Sequence, residues 1–134
     1  MRTYKYTNSP QEIKEYFQFL IDEYKYSIIE ESITNYGPSY IYINNIGNIR
    51  VKLNYDYKDN FYYFEIIKGV NTKYPNDLDN ENIRPLFKLV KKYEVDFDVR
   101  KLQPDNNQYL EALKLNAEML KKYGDKILKG QEWF

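Results

Sequence analysis

Between Ile49 and Tyr57 the chain alternates without a break. Ile49, Val51, Leu53, Tyr55 and Tyr57 are apolar or aromatic, and Arg50, Lys52, Asn54 and Asp56 between them are polar. Side chains leave a β-strand on opposite faces with a period of two, so a strand gathers the five large groups on one side, whereas a helix would scatter them around its circumference. The stretch demands a sheet with one face in a core and partner strands beside it.

Those partners are legible on both sides. Residues 26–34, 40–44 and 61–68 are short segments rich in β-branched and aromatic residues, separated by Asn35-Tyr36-Gly37-Pro38, Asn45-Ile46-Gly47-Asn48 and Lys58-Asp59-Asn60. Connections this short favour antiparallel neighbours in simple up-and-down order, because a parallel pair needs a long crossover. The last segment, Phe61 to Lys68, is apolar on both faces apart from Glu65, as a central or covered strand would be.

The flanks carry a helical rhythm. Ser9 as cap, Pro10 at the first helical position and Glu12 three residues after the cap open one helix over 9–24, with Ile13, Tyr16, Phe17, Leu20, Ile21 and Tyr24 on one stripe. A second is expected from about Asn82 to Glu94, with Pro85 in its first turn and Ile83, Leu86, Phe87 and Val90 inward. A third runs from Pro104-Asp105 to Tyr123, buries Leu110, Leu113, Ala117 and Leu120, and ends at Gly124 as a left-handed cap, with one more turn at 125–129. The alternation of Val95, Phe97 and Val99 with Asp96, Asp98 and Arg100 fits a fifth short strand. At 134 residues the chain has the size of one domain. The expected fold class is therefore α+β over residues 1–134: an antiparallel meander of four strands, or five if 95–102 pairs, with one N-terminal and two C-terminal helices packed on it.

Composition removes several functions. Without Cys or His the chain has no disulfide, thiolate zinc site, cysteine nucleophile or imidazole base. Twenty basic and twenty acidic side chains leave a net charge of zero, so no global field draws nucleic acid or an anionic membrane. The opening MRTYKYTNSPQEI lacks the apolar core of a secretory signal, and no run of about 18 apolar residues occurs, so a cytoplasmic location is expected. The charge is uneven along the chain: residues 9–35 hold two basic and six acidic groups, and 83–130 hold eleven and seven.

Candidate chemistry is sparse. Asp77, Asp79 and Glu81 alternate as in a calcium loop, but counting from Asp77 puts Asn82 at the sixth position, where Gly is needed, and Lys88 at the twelfth, where Glu is needed. The motif fails, and the segment reads as an acidic loop leading into a helix N-terminus. Glu30 and Glu31 are adjacent and so point to opposite faces of a strand. Glu65 stands among aromatic residues, where desolvation would disfavour its charge. No phosphate loop or nucleophile elbow is present, and neither a metal nor a cofactor is expected. The sixteen tyrosines and seven phenylalanines suit a wet contact surface, although AT-rich codon usage would produce the same abundance. With Ile41, Ile43, Tyr63 and the alternating series from Ile49 inward, Tyr40, Tyr42, Tyr62 and Phe64 would form an outer aromatic face; with the second and third helices on that face they would be core.

Leu113 to Trp133, LKLNAEMLKKYGDKILKGQEW, resembles the C-terminal segment of small bacterial proteins, some of which are similar to immunity proteins of polymorphic-toxin systems. The pattern is Ala117, Leu120, Gly124, Ile127, Leu128, Gly130 and Trp133, and Phe17-Gln18-Phe19-Leu20 through Tyr24 fits a similar N-terminal helix. The resemblance implies a cytoplasmic bacterial protein that acts by binding another protein, and it carries over no catalytic residue. The expectation is a non-enzymatic module, such as a toxin inhibitor, that meets a protein partner through Tyr40, Tyr42, Tyr62, Asp77 and Asp79; a homo-oligomer is compatible with it. The alternative is a small-ligand or carboxylate-dependent enzymatic pocket between sheet and helices, centred on Glu65.

Overall fold

The computed structural model describes residues 10–44, 48–69, 81–104 and 109–134. Strands β1 (Ser27–Thr34), β2 (Gly37–Ile43), β3 (Ile49–Asp56), β4 (Phe61–Lys68) and β5 (Ile83–Pro85) form one antiparallel sheet in the order of the sequence. Helices α1 (Pro10–Tyr16) and α2 (Phe19–Asp22) precede it, and α3 (Leu86–Tyr93), a 3₁₀ turn (Val99–Leu102), α4 (Tyr109–Tyr123) and α5 (Asp125–Leu128) follow. This is the α+β meander that the two periodicities require. None of the described helices is long and apolar enough to cross a membrane.

Register decides which residues are core. Tyr40 pairs with Leu53 and Leu53 with Phe64, while Tyr42 pairs with Val51 and Val51 with Ile66. Opposed residues share a face, so the tyrosines of β2 lie on the same side as the alternating apolar series of β3. That side meets Ile13 of α1, Phe17 just after it, Leu20 of α2, Leu86, Leu89 and Val90 of α3, and Leu113, Ala117 and Leu120 of α4 in one buried cluster. The outer aromatic face is thereby corrected: Ile41 and Tyr63 are on the other side, and the helices cover the tyrosines.

Turn chemistry fixes that register at the hairpins. The Asp56 carboxylate accepts the amides of Lys58 and Asp59 at 2.9 and 3.2 Å, and the Tyr55 hydroxyl reaches Asn60 Oδ1 at 2.6 Å. Gly37 starts β2 three residues earlier than expected, with φ 128°; a Cβ there would lie 1.8 Å from the Tyr55 carbonyl oxygen, so no other residue fits.

Several boundaries depart from expectation for identifiable reasons. The single helix over 9–24 is two, because Phe17, Phe19 and Leu20 are all buried and no straight helix puts positions 17 and 19 on one face; three-residue hydrogen bonds from Gln18 to Glu15 and from Leu20 to Phe17 make the break. The second helix starts at Leu86, because Arg84 precedes a proline and is biased away from helical geometry, which suits pairing with Ile66. The stripe it buries is accordingly Leu86, Leu89 and Val90, and Phe87 turns outward. The fifth strand is Ile83–Pro85 rather than 95–102, where Val95 is exposed and Asp98 instead caps the 3₁₀ turn through the Arg100 amide. Gly124 has φ −97° and is not a left-handed cap; it is small because a Cβ would sit 2.6 Å from the Leu120 carbonyl oxygen.

The C-terminal tail packs on its own domain. Trp133 donates its indole N–H to the Glu81 carbonyl at 2.8 Å, and the Lys68 ammonium lies 5.7 Å from the ring centre. Tyr24 and Tyr26 tie the N-terminal helices to α5, their hydroxyls donating to Asp125 Oδ1 at 2.6 Å and to the Leu128 carbonyl at 2.8 Å.

Candidate binding cleft

A proline sets up the site. β5 stops at Pro85, so it pairs only with Glu65, Ile66 and Ile67, and the first half of β4 runs past its end. An edge strand there would present amides and carbonyls to water. The Gln103 side chain takes the place of the missing strand: its Oε1 accepts the Tyr62 amide at 2.7 Å and its Nε2 donates to the Tyr62 carbonyl at 2.9 Å. A primary amide has the donor and acceptor of one peptide group, which makes it a one-residue strand mimic.

Gln103 is held by what precedes it. The 3₁₀ turn is capped by Asp98, whose carboxylate accepts from the Arg100 amide and pairs with its guanidinium at 3.0 Å. Those bonds hold the Asp98 carboxyl below its usual range, and the Arg100 guanidinium above its own. At the end of the turn Leu102 is buried, and its carbonyl accepts Asn116 Nδ2 at 2.9 Å; the same nitrogen donates to the Ala112 carbonyl at 2.8 Å. Asn116 thus ties the turn to α4.

Between the β4 edge, the start of α3 and the 3₁₀ turn remains a cleft of about 460 Å³. Its inner wall is Leu86, Leu102 and Asn116, with Tyr62 and Gln103 along one side. Three large aromatic residues of the lining are partly in solvent: Phe61 is 38% exposed, Tyr63 42% and Phe87 42%, and the first two rings are 4.9 Å apart. Glu65 and Arg100 supply the charge on the lining. A concave, mostly apolar site with a few polar groups is what a ligand or a partner's side chain needs. No group of three or more acidic side chains that could hold a metal occurs among the described residues.

The structure divides the residues singled out from sequence. Tyr40, Tyr42 and Tyr62 are 0, 1 and 1% exposed, so as a contact surface they are withdrawn: they are core. Burial, then the charge of Glu31 on the next strand, pushes the Tyr40 hydroxyl up to about 12; burial raises Tyr42 further, and its hydroxyl has no hydrogen-bond partner. Tyr62 still lines the cleft through β4. Asp77 and Asp79 lie outside the described residues. Glu65 is half-buried on the cleft lining, across the ladder from Lys52. Gln103, Asn116 and Phe87 escaped sequence reasoning. A lone Gln after a turn has no pattern, Asn116 falls on the buried stripe of α4 without being apolar, and Phe87 was misplaced with the helix start.

No family model, curated protein or solved structure matches the chain.

Proposed function

We propose that the protein is a non-enzymatic binding module that recognises a protein partner at the cleft, the partner seating one apolar anchor between Phe61, Tyr63 and Phe87. One observation carries the reading. Three of the exposed large apolar residues, though from β4 and α3, share the lining of a cleft at the stretch of β4 edge that the Gln103 side chain closes in place of a strand. Interface cores favour Tyr and Phe, and binding energy concentrates where an anchor fills a pocket. A toxin blocked by occlusion is the partner that the C-terminal resemblance suggests.

The test is a photoreactive cross-linker introduced at Phe87 and, as a control, at Ile33 on the far edge strand, in the native host. A protein captured from Phe87, not from Ile33, and lost when Val99→Trp fills the cleft supports the reading. Capture from Ile33 alone moves the contact to β1. A second reading, a small-ligand site, is favoured by the cleft volume, which lies in the usual range of about 300–1,000 Å³, and by Glu65 on its wall. It predicts a small molecule co-purifying with the protein and no cross-link at either position.

A further inference from the structure

Asn116 is almost wholly buried, lines the cleft and has its nitrogen fully committed: Nδ2 donates to the carbonyls of Leu102 and Ala112. Both neighbours can only accept, which fixes the orientation of the amide. Oδ1 accepts no hydrogen bond among the described residues, and it is the group with which Asn116 can meet an occupant. Oδ1 is not one of the buried polar atoms without a partner, so it reaches the cleft, where water can meet it. An occupant that seals the wall without supplying a donor leaves the acceptor unmet at a cost, and the wall discriminates in favour of one that supplies it.

The charges at the opening are also unequal. Arg100 is held by Asp98 through two hydrogen bonds, at 3.0 Å each, whereas Glu65 takes part in no ion pair among the described residues. The charge left for an incoming partner is therefore negative.

We propose that the anchor is an aromatic side chain bearing a donor, the indole of Trp or the phenol of Tyr, which lies between Phe61, Tyr63 and Phe87 and donates to Asn116 Oδ1, with a Lys or Arg of the same partner segment facing Glu65. This rests on the cleft as the recognition site and names the chemistry that it selects. The apolar wall takes the ring, the acceptor requires the N–H or O–H, and the carboxylate sets the sign of the flanking charge.

The test varies the ligand rather than the protein. N-acetyl-tryptophanamide and its benzothienyl counterpart, which keeps the shape and loses the N–H, are titrated against the full chain while the Asn116 side-chain amide is followed by NMR. N-acetyl-tyrosinamide and N-acetyl-phenylalaninamide form a second pair. The donor-bearing member binds about tenfold tighter in each pair, since an unmet buried acceptor costs about that factor. Acetyl-Lys-Trp-amide binds a few-fold tighter than acetyl-Glu-Trp-amide, and Glu65→Gln removes that preference. Equal affinity within both pairs, with binding still abolished by Val99→Trp, overturns the proposal while the cleft survives as the site. Absence of any perturbation at Asn116, Leu102 and Gln103 overturns both.

Discussion

Replacing Gln103 by Leu tests the structural basis of the cleft. The substitution keeps the side-chain bulk and removes both atoms that pair with Tyr62. Two hydrogen bonds are lost at a half-buried side chain, and each backbone group left unmet costs about 1–3 kcal/mol, less where water from the cleft reaches it. Taking the middle of that range with partial rehydration gives a loss of about 3 kcal/mol, a large share of the roughly 5–15 kcal/mol that holds a domain together. For a chain of this length that is a fall in Tm of about 10 °C. Urea unfolding gives the free energy, and native-state hydrogen exchange reports the Tyr62 amide, which becomes fast while the β3–β4 interior stays protected. Gln103→Glu sharpens the case. It keeps the acceptor but sets a carboxylate oxygen against the Tyr62 carbonyl, which raises the carboxyl pKa in the folded state; stability relative to the native chain therefore recovers on acidification and is lost again as pH rises. A loss below about 0.5 kcal/mol for Gln103→Leu, with Tyr62 exchange unchanged, refutes the strand-mimic reasoning.

Four further outcomes follow from the packing. Tyr42→Phe removes a buried hydroxyl that has no partner and stabilises the fold by about 1 kcal/mol; a clear loss in urea unfolding would contradict this. Gly124→Ala forces a methyl against the Leu120 carbonyl and destabilises by about 1–3 kcal/mol, despite an ordinary φ, which equilibrium unfolding measures directly. The hydroxyls of Tyr24, Tyr26, Tyr40 and Tyr42 are all raised, chiefly by burial. A raised folded pKa contributes stability below the ordinary value of 10.0 and loses it as pH climbs toward the folded value. Ultraviolet titration should therefore show a late tyrosinate step that coincides with loss of the fold, and a fully reversible titration of all sixteen at 10 would count against it. Asp125 is held below 3.8 by the Tyr24 hydroxyl and then by Lys129, so its contribution is present above that value and disappears as pH falls through the depressed one; the stability gap between the native chain and Asp125→Asn should close in acid.

Much of the fold is written in local rhythm, and the site is not. Ile49 to Tyr57 announce a half-buried strand because the period of two is unbroken, and Phe61–Lys68 is delimited by its turn formers at one end and Gly69 at the other. What the sequence hid was set by partners far along the chain. The face taken by Tyr40 and Tyr42 depends on which residues they oppose, and a shift of one position would have reversed it. Arg84 and Pro85 look like a helical first turn until the edge of β4 is seen to need a partner. The cleft is a consequence of where β5 stops and of one amide 41 residues from the backbone that it pairs with, a separation at which no spacing rule operates.

A titration with indole followed by ¹⁵N–¹H NMR tests most directly whether this edge is a recognition site. The account predicts that the largest shifts fall on the backbone amides of Tyr62 and Leu102 and the side-chain amides of Gln103 and Asn116, and that Val99→Trp abolishes them. Shifts confined to β1, from Ser27 to Thr34, or no saturable shift anywhere, would contradict it.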